Sequence, residues 1–202
     1  MFFVLSPAKT LDETTPAPTQ AYTQSPLLAQ SQALIKVCRK LSPQAIAELM
    51  KVSDKIAVLN TERFGAWQTP FDLTNAKQAV YLFKGDVYEG LDAYHLSPKG
   101  TEYLQQHLGI LSGLYGILKP LDLMQPYRLE MGTRLANPKG ANLYAYWGQT
   151  IAKQINQYMR DGGQETLINL ASNEYFKAVD KQTLTCPIIT PVFKDKKNGV
   201  YK

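Results

Sequence analysis

Four short stretches of the chain are almost wholly apolar: Phe2-Phe3-Val4-Leu5, Ala79-Val80-Tyr81-Leu82-Phe83, Leu167-Ile168-Asn169-Leu170-Ala171 and Ile188-Ile189-Thr190-Pro191-Val192-Phe193. Near-continuous hydrophobic runs of this length suit strands buried on both faces. Between them lie stretches of helical character. Three Ser-Pro dipeptides, Ser25-Pro26, Ser42-Pro43 and Ser97-Pro98, each precede helix-compatible sequence, and Ser at N-cap with Pro at the first helical position is a helix start. The pattern predicts helices over 26–40, 43–51, 54–64, 98–108 and 141–160. The last carries Tyr144, Trp147, Ile151 and Ile155 at three- and four-residue spacing. Strands interleaved with helices predict an α/β fold, a mixed sheet with helices on both faces, in a single domain over 1–202.

The residues just past the first three apolar runs point from fold to site. Phe2 to Leu5 leads into Ser6-Pro7-Ala8-Lys9, Ala79 to Phe83 into Lys84-Gly85-Asp86-Val87-Tyr88, and Leu167 to Ala171 into Ser172-Asn173-Glu174-Tyr175-Phe176-Lys177. Each run ends in a polar cluster containing a lysine. Ligands of open α/β sheets bind beyond the carboxyl ends of the strands, so parallel strands would bring these clusters to one pocket. Taken singly, each Ser also suits a helix cap and each Lys a solvated side chain.

The densest stretch is 111–132, too rich in Gly and Pro for continuous helix and too apolar for a solvated loop. It predicts an irregular segment lying against the core. Ser112-Gly113 and Tyr115-Gly116 allow a close backbone approach to a ligand or a strained turn. Tyr127 and Arg128 offer an aromatic plane and a guanidinium fork suited to phosphate or a base edge. Arg128 and Glu130, two apart, share a face in extended chain and also suit pairing with other residues.

Composition narrows the function classes. The chain has 202 residues and a formal charge of +5. Residues 1–100 carry 10 bases and 9 acids, residues 101–202 carry 12 and 8, and 194–202 alone contribute +3. A basic surface must therefore come from clustering in space. No run approaches the ~20 apolar residues that span a bilayer, and the apolar start lacks a basic leader, which predicts a cytoplasmic protein. Cys38 and Cys186 stand far apart and read as reduced, buried hydrophobes. His95 and His107 are the two histidines, and no HxxxH, HExxH, CxxC, P-loop or GxGxxG motif occurs, so neither a metal nor a cofactor is expected.

The sequence Ser6-Pro7-Ala8-Lys9-Thr10-Leu11, the Phe83 to Tyr88 turn, the Leu111 to Met131 block and Asn169 to Lys177 together resemble the YaaA family of bacterial peroxide-stress proteins. The likeness is collinear over essentially the whole chain. It implies a cytoplasmic protein of unusual α/β fold that binds DNA, helps cells survive hydrogen peroxide and is linked to lowering unincorporated iron. Family members continue beyond Lys202, so a truncation within the turn-like Asn198-Gly199 stretch is also expected. The family's DNA connection draws in 43–64, whose helix, short turn and helix resemble a helix-hairpin-helix with Lys51 and Lys55 at the junction. The usual glycines are missing, and Ser53 or Asp54 equally suits a helix cap.

These residues support two expectations. In one, Ser6, Lys9, Lys84, Gly85, Arg128, Ser172 and Lys177, with Lys51 and Lys55 alongside, hold duplex or distorted DNA. In the other, the same cleft takes a nucleotide or flipped nucleobase, stacked by Tyr88, Tyr115 and Tyr127 and hydrogen-bonded by Ser112 and Asn169. There Glu130 or Glu174 is the general acid/base, with Ser112 a further catalytic candidate.

Overall fold

The computed structural model describes residues 1–194, 196, 197, 200 and 201. The chain opens with β1 (Phe2–Leu5) and β2 (Thr10–Leu11), then runs through α1 (Leu28–Cys38), α2 (Pro43–Met50) and α3 (Asp54–Ala66). Next come β3 (Lys77–Gln78), α4 (Ala79–Leu82), β4 (Phe83–Lys84), α5 (Asp86–Leu91), α6 (Pro98–His107), β5 (Leu108–Ser112), β6 (Gly116–Leu118) and β7 (Leu123–Met124). The last third holds α7 (Leu143–Trp147), α8 (Thr150–Asp161), β8 (Leu167–Asn169), α9 (Asn173–Phe176), β9 (Ile188–Ile189), β10 (Lys196–Lys197) and β11 (Val200–Tyr201). Strands β10 and β11 pair antiparallel; the Asn198-Gly199 turn expected between them lies outside the described residues.

The fold is α/β with a mixed sheet of order β6-β5-β1-β8-β9. β1 is central and parallel to both neighbours, with Phe3 opposite Leu108 on one side and Ile168 on the other. β9 continues the parallel set, while β6 returns antiparallel to β5. Every residue of β5 and β8 is buried, as expected of strands covered on both faces. The main apolar core joins the sheet to α1, α3, α7 and α8 through Phe2, Ile35, Phe64, Trp147, Ile151 and Ile155.

The helix starts follow the expected chemistry at two of the three Ser-Pro sites. Ser42 Oγ accepts from the Ala45 amide at 3.2 Å and Ser97 Oγ from Gly100 at 3.1 Å. At the third, Ser25 Oγ instead closes a turn on Leu27, and α1 begins at Leu28.

Three expectations are corrected. The run 79–83 is no strand of the sheet: Ala79–Leu82 forms a helical turn whose first amides donate to the Asp122 and Pro120 carbonyls, and only Phe83–Lys84 is extended. A short, fully buried apolar run is compatible with either element. The single helix expected over 141–160 is broken at Gly148, whose φ of 45° lies in the left-handed region. Finally, 111–132 is less irregular than expected, since it contains the end of β5 and the whole of β6 and β7.

Candidate functional site

The carboxyl ends of β1 and β8 lie side by side because the two strands are parallel neighbours, and the polar clusters after them meet. Ser6 Oγ accepts from the Ser172 amide at 2.9 Å and lies 3.3 Å from Ser172 Oγ. The Tyr88 hydroxyl donates to the Ser6 carbonyl at 2.9 Å. Lys84 reaches the same neighbourhood by another route: β4 pairs antiparallel with β2, setting Lys84 opposite Thr10, one residue past Lys9. Gly85, with φ 149°, caps α5 and leads into Tyr88.

The stretch after Tyr127 completes the cluster. Arg128 and Glu130 point the same way, as residues two apart in extended chain do. Glu130 Oε1 lies 3.0 Å from Arg128 Nη2 and 3.4 Å from Lys9 Nζ. Both cations therefore share one carboxylate oxygen. Arg128 Nε is buried and has no hydrogen-bond partner among the described residues, an arrangement that costs about 1–3 kcal/mol while it stays unmatched. Arg128 lines a cleft of about 20 Å³ with Pro7, Lys9, Tyr127, Glu130 and Tyr175, room for about one water-sized group. Glu174 lies nearby but is held differently: its Oε1 accepts from the Gly132 amide at 2.8 Å. Lys177 Nζ stands 5.1 Å above the ring of Tyr144, whose hydroxyl donates to the Glu174 carbonyl.

Gly113 explains how this stretch is seated. A Cβ there would meet the Leu129 carbonyl oxygen at 2.1 Å, so only glycine lets the end of β5 lie against the backbone that carries Arg128 and Glu130. The close approach expected of this glycine is thus to the chain itself.

Several expected ligand groups are structural. Tyr115 is fully buried; its hydroxyl accepts from Trp67 Nε1 and the Gln125 amide and donates to the Gln125 carbonyl. It offers no ring face for stacking. Ser112 is fully buried as well, 2.5 Å from the Tyr127 hydroxyl and accepting from the Tyr115 amide, which places it in the core instead of at a reacting centre. Tyr127 is buried with its edge on the cleft, and burial raises the phenols of both Tyr115 and Tyr127 above their ordinary range. Asn169 is buried and closes the turn after β8, accepting from the Ala171 amide at 3.0 Å. Glu130, expected as a free acid or base, is ion-paired with two cations.

Lys51 and Lys55 stand at the α2–α3 junction. Lys51 caps α2 in the left-handed conformation, and Asp54 occupies the first position of α3. Among the described residues no hydrogen bond or ion pair joins this helical pair to the strand-end cluster. Tyr175 was not singled out in the sequence although it lines the cleft; its only signal was its place inside the Ser172 to Lys177 cluster.

Both thiols are at least partly withdrawn from water. Burial pushes Cys38 up to about 12 and raises Cys186 as well, the reverse of the lowered pKa that activates a thiol. Cys38 is buried as expected, whereas Cys186 is only partly so. Among the described residues no group of three or more His, Cys, Asp or Glu side chains could hold a metal ion, and no helix is long and apolar enough to cross a membrane.

The protein is an α/β sheet with hydroxyl and ammonium groups gathered past the ends of two parallel strands and a guanidinium group brought beside them by the stretch after Tyr127. The chain belongs to the family described as peroxide stress protein YaaA, whose model matches residues 1–202. It is 62% identical to a UPF0246 protein of Shewanella piezotolerans, over the whole of this chain and 79% of the relative. Identities are 59% to a UPF0246 protein of Shewanella loihica and 58% to one of Neisseria gonorrhoeae, each over the whole of this chain and 78% of the relative. The family description supports a role in the response to peroxide.

Proposed function

We propose that this peroxide-stress protein works in the cytoplasm by binding DNA, duplex or distorted, along the basic strand-end cluster, and so helps limit iron-dependent oxidative damage. The observation that carries the reading is the meeting of Lys9, Arg128, Ser6 and Ser172 at the ends of β1 and β8, with Lys84 added through its pairing with β2. Ammonium and guanidinium groups neutralise phosphates, and hydroxyls and amides fix register on the backbone. The α2–α3 helical pair, with Lys51 and Lys55, is a second contact of helix-hairpin-helix type.

Fluorescence anisotropy with duplex, single-stranded and junction DNA at two salt concentrations tests the reading. Affinity is expected to fall with salt at a log–log slope of about −0.9 per phosphate neutralised on duplex. Arg128→Ala should weaken binding on every sequence. Absence of binding at low salt would refute the proposal.

A further inference from the structure

Beside the strand-end cluster lies a second cleft, of about 180 Å³, that neither the basic cluster nor the fold accounts for. Its floor is aromatic: Tyr81 and Phe83 are buried, and Tyr94 is partly exposed. Tyr81 packs on Tyr94 with ring centroids 5.1 Å apart, and Phe83 on Tyr88 at 5.4 Å. Ala93, the smallest lining side chain, leaves the space open.

The cleft shares two residues with the basic cluster. Tyr88 lines it and donates its hydroxyl to the Ser6 carbonyl at the end of β1, while Lys84 lines it and stands opposite Thr10. A group entering the cleft is therefore within one or two residues of the Ser6–Lys9 turn. Its charged groups are mostly acceptors. Three carboxylates, Asp12, Glu89 and Asp92, line it with one lysine, Lys84, and a second lysine stands just outside the lining: Lys77 Nζ lies 4.0 Å from Asp12 Oδ1 and 5.7 Å from the centre of the Tyr94 ring. Asp12 is engaged by the Thr14 and Thr15 amides and Asp92 by His95. Glu89 has no side-chain partner among the described residues.

The partly exposed ring of Tyr94, backed by the buried Tyr81, suits a planar ring, and a carboxylate at the rim suits a ring that bears an exocyclic amine. Carboxylates accept from the amino groups of cytosine or adenine and repel the O4 acceptor of thymine. We propose that this cleft binds the base of an extruded nucleotide, cytosine or adenine in preference to thymine, while the basic cluster holds the flanking phosphates. The proposal deepens the DNA-binding reading and rests on it. A free nucleoside would offer the same ring and amine, so the test separates the two sources.

The test measures anisotropy of the whole chain on a duplex with one unpaired cytosine, adenine or thymine and on the fully paired duplex. A base already unpaired avoids most of the cost of extrusion, so the unpaired cytosine and adenine duplexes should bind about tenfold tighter than the paired one, and the thymine duplex less. Ala93→Leu, which fills the cleft, should abolish the preference and leave paired-duplex affinity unchanged. Because Ala93 is buried, the exposed Glu89→Met provides a second variant; it should erase the distinction between cytosine and thymine whatever its general effect on affinity. Equal binding of paired and unpaired duplexes, or a preference that survives both variants, would overturn the base site while leaving DNA binding in place. If no DNA binds, the DNA reading fails, and equilibrium dialysis with adenosine decides the cleft. Saturable uptake lost in Ala93→Leu would assign it to a free nucleoside, and no uptake would remove it.

Discussion

The stretch from Ser112 to Gly132 divides at Tyr127 into two regions that use similar residues for opposite ends. Upstream, Ser112, Tyr115 and Tyr127 turn their hydroxyls inward, each satisfied by neighbours in the core. Downstream, Arg128 and Glu130 turn to the cleft, and Arg128 keeps one buried donor unmatched. The first half is a closed hydrogen-bond network and the second an open one. A closed network of this kind fixes the backbone, and the open one beside it is then held in a defined geometry.

The contrast gives a graded set of predictions. The largest effect is expected where the two halves touch: Gly113→Ala should cost about 3 kcal/mol or more in chemical denaturation, because the new methyl collides with the Leu129 carbonyl, which cannot move without carrying Arg128 with it. Next, Tyr115→Phe leaves the Trp67 indole N–H and the Gln125 amide without their acceptor, a loss of about 2 kcal/mol. Arg128→Ala should do the reverse of these, changing stability by less than about 1 kcal/mol while lowering DNA affinity and reducing the salt slope by about 1. If Arg128→Ala unfolded the protein while Tyr115→Phe spared it, the division at Tyr127 would be wrong.

The smallest effect concerns acid. The Thr15 amide and hydroxyl, with lesser help from the Thr14 amide and Lys77, hold the Asp12 carboxyl down from 3.8 to about 2. A carboxyl with a lowered folded pKa contributes stability that is fully present above pH ~4 and lost as pH falls through ~2. Asp12→Asn should therefore flatten the acid limb of the stability profile between those values and leave the neutral region less stable than in the parent chain. An unchanged acid limb in a denaturation series from pH 5 to pH 2 would contradict it.

The legible parts of the molecule share a cause. β1 and β8 were readable because each is an uninterrupted apolar run bounded by a polar break, and α2 and α6 because a Ser-Pro pair marks where each begins. β5 was hidden because Leu108 follows α6 with no intervening turn; its backbone simply changes to φ −121° and ψ 138°. The run 79–83 misled because burial on all sides removes the periodicity that separates helix from strand. At the site, the shared face of Arg128 and Glu130 was visible from their spacing, whereas the approach of Lys9 to Glu130 depends on parallel pairing that no local pattern encodes. The inward turn of Tyr115 was equally invisible, since a tyrosine in sequence does not declare which end is wet.

The Ser6–Ser172 contact joins residues 166 positions apart, and β1 takes its two neighbours, β5 and β8, from the middle and the far part of the chain. Contacts of such sequence separation form late and slowly in folding. During synthesis the first strand emerges with neither partner yet made, and the strand-end cluster comes into being only after Ser172 has left the ribosome. The paired hydroxyls at the strand ends are thus made by the assembled sheet and by neither segment alone.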